Sequence, residues 1–169
     1  MCKFKSGIVL KSEGEKGGYK LLMNPWTESH EELVEIHKLK DNRLNFARVE
    51  FFPDSMATAD KVETYKLTID EARRPDWFDS EMEDSVKGRM VAYIKSIIVS
   101  GNVSILIGGQ FILASGAKIG TAKACIVNAM CGSSTVNAMC GSSTVNAMRD
   151  SSTVKEIGSG TINNDKRKK

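Results

Sequence analysis

No aromatic residue follows Phe111, and no proline follows Pro75. Any core in the last third of the chain must therefore be aliphatic, and that part lacks the residue that most firmly interrupts backbone pairing. Histidine occurs twice, as His30 and His37. The cysteines, Cys2, Cys125, Cys131 and Cys140, include no C-x-x-C pair. Metal-binding pairs on a helix sit three or four residues apart, whereas seven separate the histidines, so no metal site is expected. Neither a G-x-x-x-x-G-K-[ST] loop nor a G-x-G-x-x-G turn occurs, which removes the common phosphate cradles. With no histidine near a cysteine in sequence, a thiol nucleophile has no partner base. Catalytic residues and cofactors are both expected to be none.

Long hydrophobic runs are missing as well. The longest apolar stretch, Ile97 to Leu113, is broken by Ser100, Gly101, Asn102, Ser104 and Gly108-Gly109. A membrane span needs about 18 to 20 apolar residues in succession. The start, Met1-Cys2-Lys3-Phe4-Lys5, has no apolar stretch behind its charge. A cytoplasmic protein with reduced thiols and no membrane contact is expected.

Charge is unevenly placed. Residues 101–169 hold 8 of the 24 basic and 3 of the 21 acidic side chains. Half of those 8 form the end, Lys166-Arg167-Lys168-Lys169. The rest of that region is near neutral, so four terminal charges would supply only weak, salt-sensitive binding to a polyanion.

What is present in quantity is repetition. Aligned on valine, the chain reads Ile-Val127-Asn-Ala-Met130, Thr-Val136-Asn-Ala-Met139, Thr-Val145-Asn-Ala-Met148 and Thr-Val154-Lys-Glu-Ile157. Cys131–Met139 and Cys140–Met148 are identical nonapeptides. A short fixed period marks a solenoid. Nine matches neither helical supercoil period, and Ser, Thr, Val and Gly favour strands and turns over helix. Val and Met are the bulky apolar residues of each unit and are expected inward. The intervening Asn-Ala becomes Lys155-Glu156 in the last unit, so Asn137 and Asn146 are expected to face water. The pairs 132–133, 141–142 and 150–151 mark turns. Nine residues at ~3.3 Å each give too small a loop to enclose Val and Met, which favours two units, about 18 residues, per coil. The Gly-punctuated, β-branched segment from Ile97 to Ala124 reads as a degenerate lead-in.

The N-terminal part reads as β-β-α-β-β-α. Strands are expected at 4–11, 19–23, 45–52 and 62–69. Ser29 and Glu32 form a capping box that opens a short helix. A second helix is expected from Asp79 to about Ser96, with Met82, Val86 and Met90 on one stripe. The fold class is thus an α+β domain at 1–96, a β-solenoid (parallel β-helix) at 97–162, and a disordered basic tail at 163–169. The acidic residues between Asp76 and Asp84 fit a first helical turn and need no catalytic account. A calcium roll is excluded because its Asp ligands are missing. A binding surface, if the chain has one, is expected to draw on His30, Arg48, Trp77, Asn137 and Asn146.

The opening Met1–Leu10, Glu28-Ser29-His30, Phe46-Ala-Arg48-Val-Glu50 and Pro75-Asp76-Trp77-Phe78, together with the Ser-Thr-Val-x-x-Met units, resemble a family of phage and gut-bacterial proteins. Those join a short N-terminal domain to a variable number of such nonapeptides. The resemblance carries no catalytic residues and implies only a mobile-element setting, inside a host cell. A non-enzymatic binding protein is the expectation, one that inhibits a host defence protein and self-associates as a homodimer through the solenoid end or its flat face. The alternatives are a nucleic-acid-binding accessory protein, disfavoured by the near-neutral solenoid, and a pocket that sequesters a small nucleotide signal.

Overall fold

The computed structural model describes residues 4–12, 18–40, 45–71 and 73–167. The chain forms two compact units, Met1–Phe52 with Tyr65–Tyr93, and Pro53–Thr64 with Ile94–Lys169. The excursion 53–64 thus belongs with the C-terminal part.

The first unit is a four-stranded antiparallel sheet with a helix against each face. Strands β1 (Lys5–Lys11), β2 (Tyr19–Leu22), β3 (Phe46–Pro53) and β4 (Tyr65–Ile69) lie in the order β2-β1-β3-β4. Ile8 pairs with Leu22 on one side and Arg48 on the other. The face carrying Ile8, Leu22 and Phe46 packs against Leu33 of α1 (His30–Ile36). The opposite face carries Lys5 and Tyr19. There Ser85, Arg89 and Tyr93 of α2 (Ser80–Ile97) meet it, with Tyr19 Oη 2.8 Å from Ser85 Oγ and Arg89 over the Tyr19 ring. Met82, Val86 and Met90 form the buried stripe of α2. The expected element order holds, with one shift. Residues 62–64 form a 3-10 turn instead of starting a strand, and β4 begins at Tyr65.

The second unit is a β-solenoid of about four turns, residues 98–166. A front sheet stacks β6 (Asn102–Ile107), β8 (Lys118–Lys123), β10 (Thr135–Cys140) and β13 (Thr153–Ile157). A back sheet stacks β5 (Ile98–Val99), β7 (Gln110–Leu113), β9 (Ile126–Met130), β11 (Thr144–Val145) with β12 (Met148–Asp150), and β14 (Thr161–Ile162) with β15 (Asp165–Arg167). Successive nonapeptides therefore go to opposite sheets, and two units close one coil. On the front sheet Val103, Ile119, Val136 and Val154 form one ladder and Leu106, Ala122, Met139 and Ile157 a second. On the back sheet the ladders are Phe111, Val127, Val145, Ile162 and Leu113, Met130, Met148, Asp165. The apolar rungs between the ends make one continuous core. Each fully buried Val or Met contributes about 1.5–3 kcal/mol relative to exposure.

Coil length varies with the sequence. Val136 and Val154, in the regular repeats, are 18 positions apart, but Val103 and Ile119 are only 16 apart. The corners show why. Left-handed backbone occurs at Gly101, Gly108, Gly116, Ala124, Gly132, Gly141 and Asp150. These corners are 7, 8, 8, 8, 9 and 9 residues apart, so the lead-in units are shorter than nonapeptides. Only glycine adopts this conformation without strain. At Gly132 a Cβ would also lie 2.1 Å from Ser115 Oγ. Within each regular corner one serine, Ser134, Ser143 or Ser152, is buried. The Ser143 hydroxyl bonds the Cys140 carbonyl at 2.7 Å. The chain past Asn163, expected as a disordered tail, continues the stack: Asp165 and Lys166 pair with Met148 and Arg149.

Two outcomes test this register. Ala124→Gly should raise stability by about 0.5–1 kcal/mol, since it relieves a left-handed alanine, and Gly132→Ala should lower it by more. Val145→Asp should cost several kcal/mol by burying an unpaired charge, and Asn137→Lys no more than about 0.5. Thermal melts of the full chain read both.

Candidate functional site

In the first unit, charged side chains collect on the sheet face covered by α1. Ser29 caps the helix by accepting from the Glu32 amide at 3.2 Å. The reciprocal half of the capping box is replaced, because the Ser29 amide donates to Thr27 Oγ1 at 3.0 Å. Its hydroxyl lies 2.8 Å from Glu31 Oε2. Glu31's own backbone amide, followed by the Ser29 hydroxyl, holds that carboxyl below the usual range.

His30 is the first residue of the helix, a position that suggests a surface contact. The structure buries it to 1% exposure. Helical side chains lean toward the N-terminus, which carries the ring toward β3. Nε2 lies 3.0 Å from the Val49 carbonyl and Nδ1 lies 3.3 Å from Asp70 Oδ2. A carbonyl only accepts, so Nε2 holds a proton. Glu50, also on β3, is 6% exposed. The ligand atoms of His30, Glu50 and Asp70 all lie within 4.8 Å of one another. Beside them Arg48 crosses the Phe46 ring and bonds Glu71 through Nη1 at 3.0 Å, while its carbonyl accepts from the Asp70 amide. His30 and Arg48 are thus brought together, through residues 49, 70 and 71. Trp77 sits in the turn leading into α2, its ring edge-on to Phe78.

At the start of β1, Lys5 is buried, with Nζ 2.6 Å from the Asn24 carbonyl and 3.1 Å from Glu28 Oε1. Burial lowers its pKa, against the attraction of Glu28. Its ammonium lies over the Tyr93 ring, and burial, with Glu28, pushes the Tyr93 hydroxyl up to about 12.

In the solenoid the two sheets differ on their outer faces. The back sheet is covered by the chain itself. The 3-10 turn Met56–Thr58 lies against β9 and β12, Cys131 Sγ donates to the Met56 carbonyl at 3.7 Å, and Asp60 accepts from the Ser115 amide. Ala129 and Ala147 are buried there. Next to them runs a ladder of amides: Asn163 donates to Asn146 at 2.9 Å, Asn146 to Asn128 at 3.1 Å, and Asn128 to Gln110 at 3.4 Å. Asn146, expected to face water like Asn137, is half-buried in this ladder.

Among the described residues of the second unit, nothing replaces that cover on the front sheet. Asn137 is exposed, as are Ser104, Ile105, Lys118, Lys155 and Glu156. An open groove of about 310 Å³ is lined by Asn102, Ser104, Lys118, Gly120 and Asn137, among others. Glycine at 120 is required because the Ser104 carbonyl would lie 2.4 Å from a Cβ. Lys155-Glu156 occupies the front-sheet position of Asn137-Ala138, where charge remains hydrated.

Cys131 and Cys140 do not stack as a thiol ladder, because consecutive units lie on opposite sheets. Cys131 is buried, and desolvation, with the nearby charge of Asp60, pushes its thiol up to about 11. Burial also raises the Cys125 thiol. Because the thiolate is the reactive form, an alkylating agent at neutral pH should modify half-buried Cys140 well before Cys125 and Cys131. Peptide mass spectrometry of timed samples reads the order. Equal rates at all three would show that the corner of Cys131 is open.

Among the described residues no helix is long and apolar enough to cross a membrane. Comparison with family models, with curated proteins and with solved structures finds no match.

Proposed function

We propose that this chain is a non-enzymatic binding protein whose front sheet is the docking face. The observation that carries the reading is the asymmetry between the two solenoid faces. The same Asn-Ala dipeptide is buried or half-buried at 128–129 and 146–147 beneath or beside the chain's own residues, whereas at 137–138 the asparagine is exposed and the alanine half-buried. A stack of parallel strands holds that open face rigid, so little conformational entropy is lost on docking. Its mixed surface of Asn, Thr, Lys and Glu, with the exposed isoleucines Ile105, Ile107 and Ile157, suits a protein partner better than a polyanion. In the mobile-element setting that the resemblance implies, the partner is a host protein and the chain acts as a phage-borne inhibitor.

The open edge of β13 supports self-association as well. It is the last strand of the front sheet, and Ile157 at its end is 49% exposed. Such an edge offers unpaired backbone to a second copy.

Affinity capture from host lysate with the full chain and with Asn137→Arg tests the docking face. A specific host protein held by the parent and lost by the variant, with both melting alike, is the expected result. Recovery of the same proteins by both, or turnover of a metabolite by the purified chain, overturns the reading. Light scattering of the chain alone should give twice 18.5 kDa at high concentration, and a monomer throughout removes the homodimer.

A further inference from the structure

We propose that His30, Glu50 and Asp70 form a binding site for a divalent transition-metal ion, with Zn2+ the best fit. The site is independent of the docking face. Its three ligands come from the start of α1, from β3 and from the residue just after β4. They fall twenty positions apart in sequence, so no local motif announces them, and the fold brings their ligand atoms within 4.8 Å.

Orientation supports the assignment. The Val49 carbonyl fixes the proton of His30 on Nε2, which is how metal-bound histidines are held: the second nitrogen donates to a carbonyl or carboxylate and the first is left as ligand. Nδ1 then points at Asp70 Oδ2, 3.3 Å away. A ring nitrogen and a carboxylate oxygen at that distance are bridged either by a proton or by a metal ion. Two ligands held at about 2.0–2.1 Å from a tetrahedral zinc are separated by about 3.3 Å, so the pair is already set for the ion.

The second observation is Glu50. It is 6% exposed, and a carboxylate oxygen of it lies within 4.8 Å of the ligand atoms of His30 and Asp70. A carboxylate this far from bulk water is costly unless a counter-charge meets it. Arg48, the nearest cation on the same strand, is engaged by Glu71. With His30 neutral, the side chains of His30, Arg48, Glu50, Asp70 and Glu71 sum to −2, the charge one divalent ion neutralises. One imidazole nitrogen among the donors favours a transition metal over Mg2+ or Ca2+, which take oxygen ligands. Asp70 is 58% exposed in its side chain, so the site opens to solvent and leaves room for water as a further ligand.

Titration calorimetry of chelator-treated full chain with Zn2+, and separately with Mn2+, tests the proposal. One equivalent of Zn2+ should bind and raise the melting temperature. Asp70→Asn, at an exposed position, should weaken Zn2+ binding by at least about tenfold while circular dichroism stays unchanged. Glu50→Gln should do the same, and if that buried variant fails to fold, the Asp70→Asn titration decides. Cys140→Ser should leave Zn2+ binding intact. Absence of saturable binding of either ion, or equal Zn2+ affinity in the parent and Asp70→Asn, overturns the site. So does Zn2+ binding that is lost in Cys140→Ser and kept in Asp70→Asn.

Discussion

Residues 98–166 hold together because each coil is closed by two units of seven to nine residues that face each other across an aliphatic core. One unit cannot enclose its own Val and Met. Paired, Val136 and Met139 on the front sheet meet Val127, Met130, Val145 and Met148 from the back. The corners serve this closure. A left-handed residue every seven to nine positions turns the chain from one sheet to the other, and at two regular corners a buried serine bonds the turn's backbone, Ser143 donating to the Cys140 carbonyl and Ser152 accepting from the Arg149 amide. Parallel pairing then stacks like on like, so valine lies over valine and amide over amide.

The alternation also separates the two faces chemically. Every second unit lies on the back sheet, where residues 53–64 rest on it, and every other unit lies on the front, where the surface stays open. Asn146 joins a chain of amides in which each member donates to one neighbour and accepts from the next. Such a ladder keeps half-buried amides satisfied, and its loss is expected to cost more than the loss of exposed Asn137. The charged pair Lys155-Glu156 falls on the open side, the only one of the two that tolerates it.

Much of this was legible in the residues. The period, the inward Val and Met, the turns at 132, 141 and 150, and a two-unit coil all follow from spacing and side-chain volume. So do the α1 cap at Ser29 and the stripe on α2. Other features are set by contacts far apart in sequence. Asn137 and Asn146 stand in identical nonapeptides, so no local reading separates them; the packing of residues 53–64 on one sheet does. The lead-in coils are shorter because their corners are closer, which degenerate sequence conceals. His30 sits where a surface residue belongs by capping rules, yet Val49 on β3 and Asp70 just after β4, both distant in sequence, draw it inside. The end of the chain looked merely basic, but Asp165 and Lys166 still find backbone partners in β12.

The alternation of units between two unlike faces is tested most directly by removing repeats in whole and half coils. Deleting residues 131–148 takes out one coil and leaves Lys155-Glu156 on the open front sheet. Deleting only residues 140–148 moves Val154 into the place of Val145 and Lys155-Glu156 into the place of Asn146-Ala147, beneath the back-sheet cover. Thermal unfolding of the two chains should find the eighteen-residue deletion cooperative and the more stable, although it loses twice as many residues. A nine-residue deletion that melts as high as the eighteen-residue one, or higher, would contradict the account.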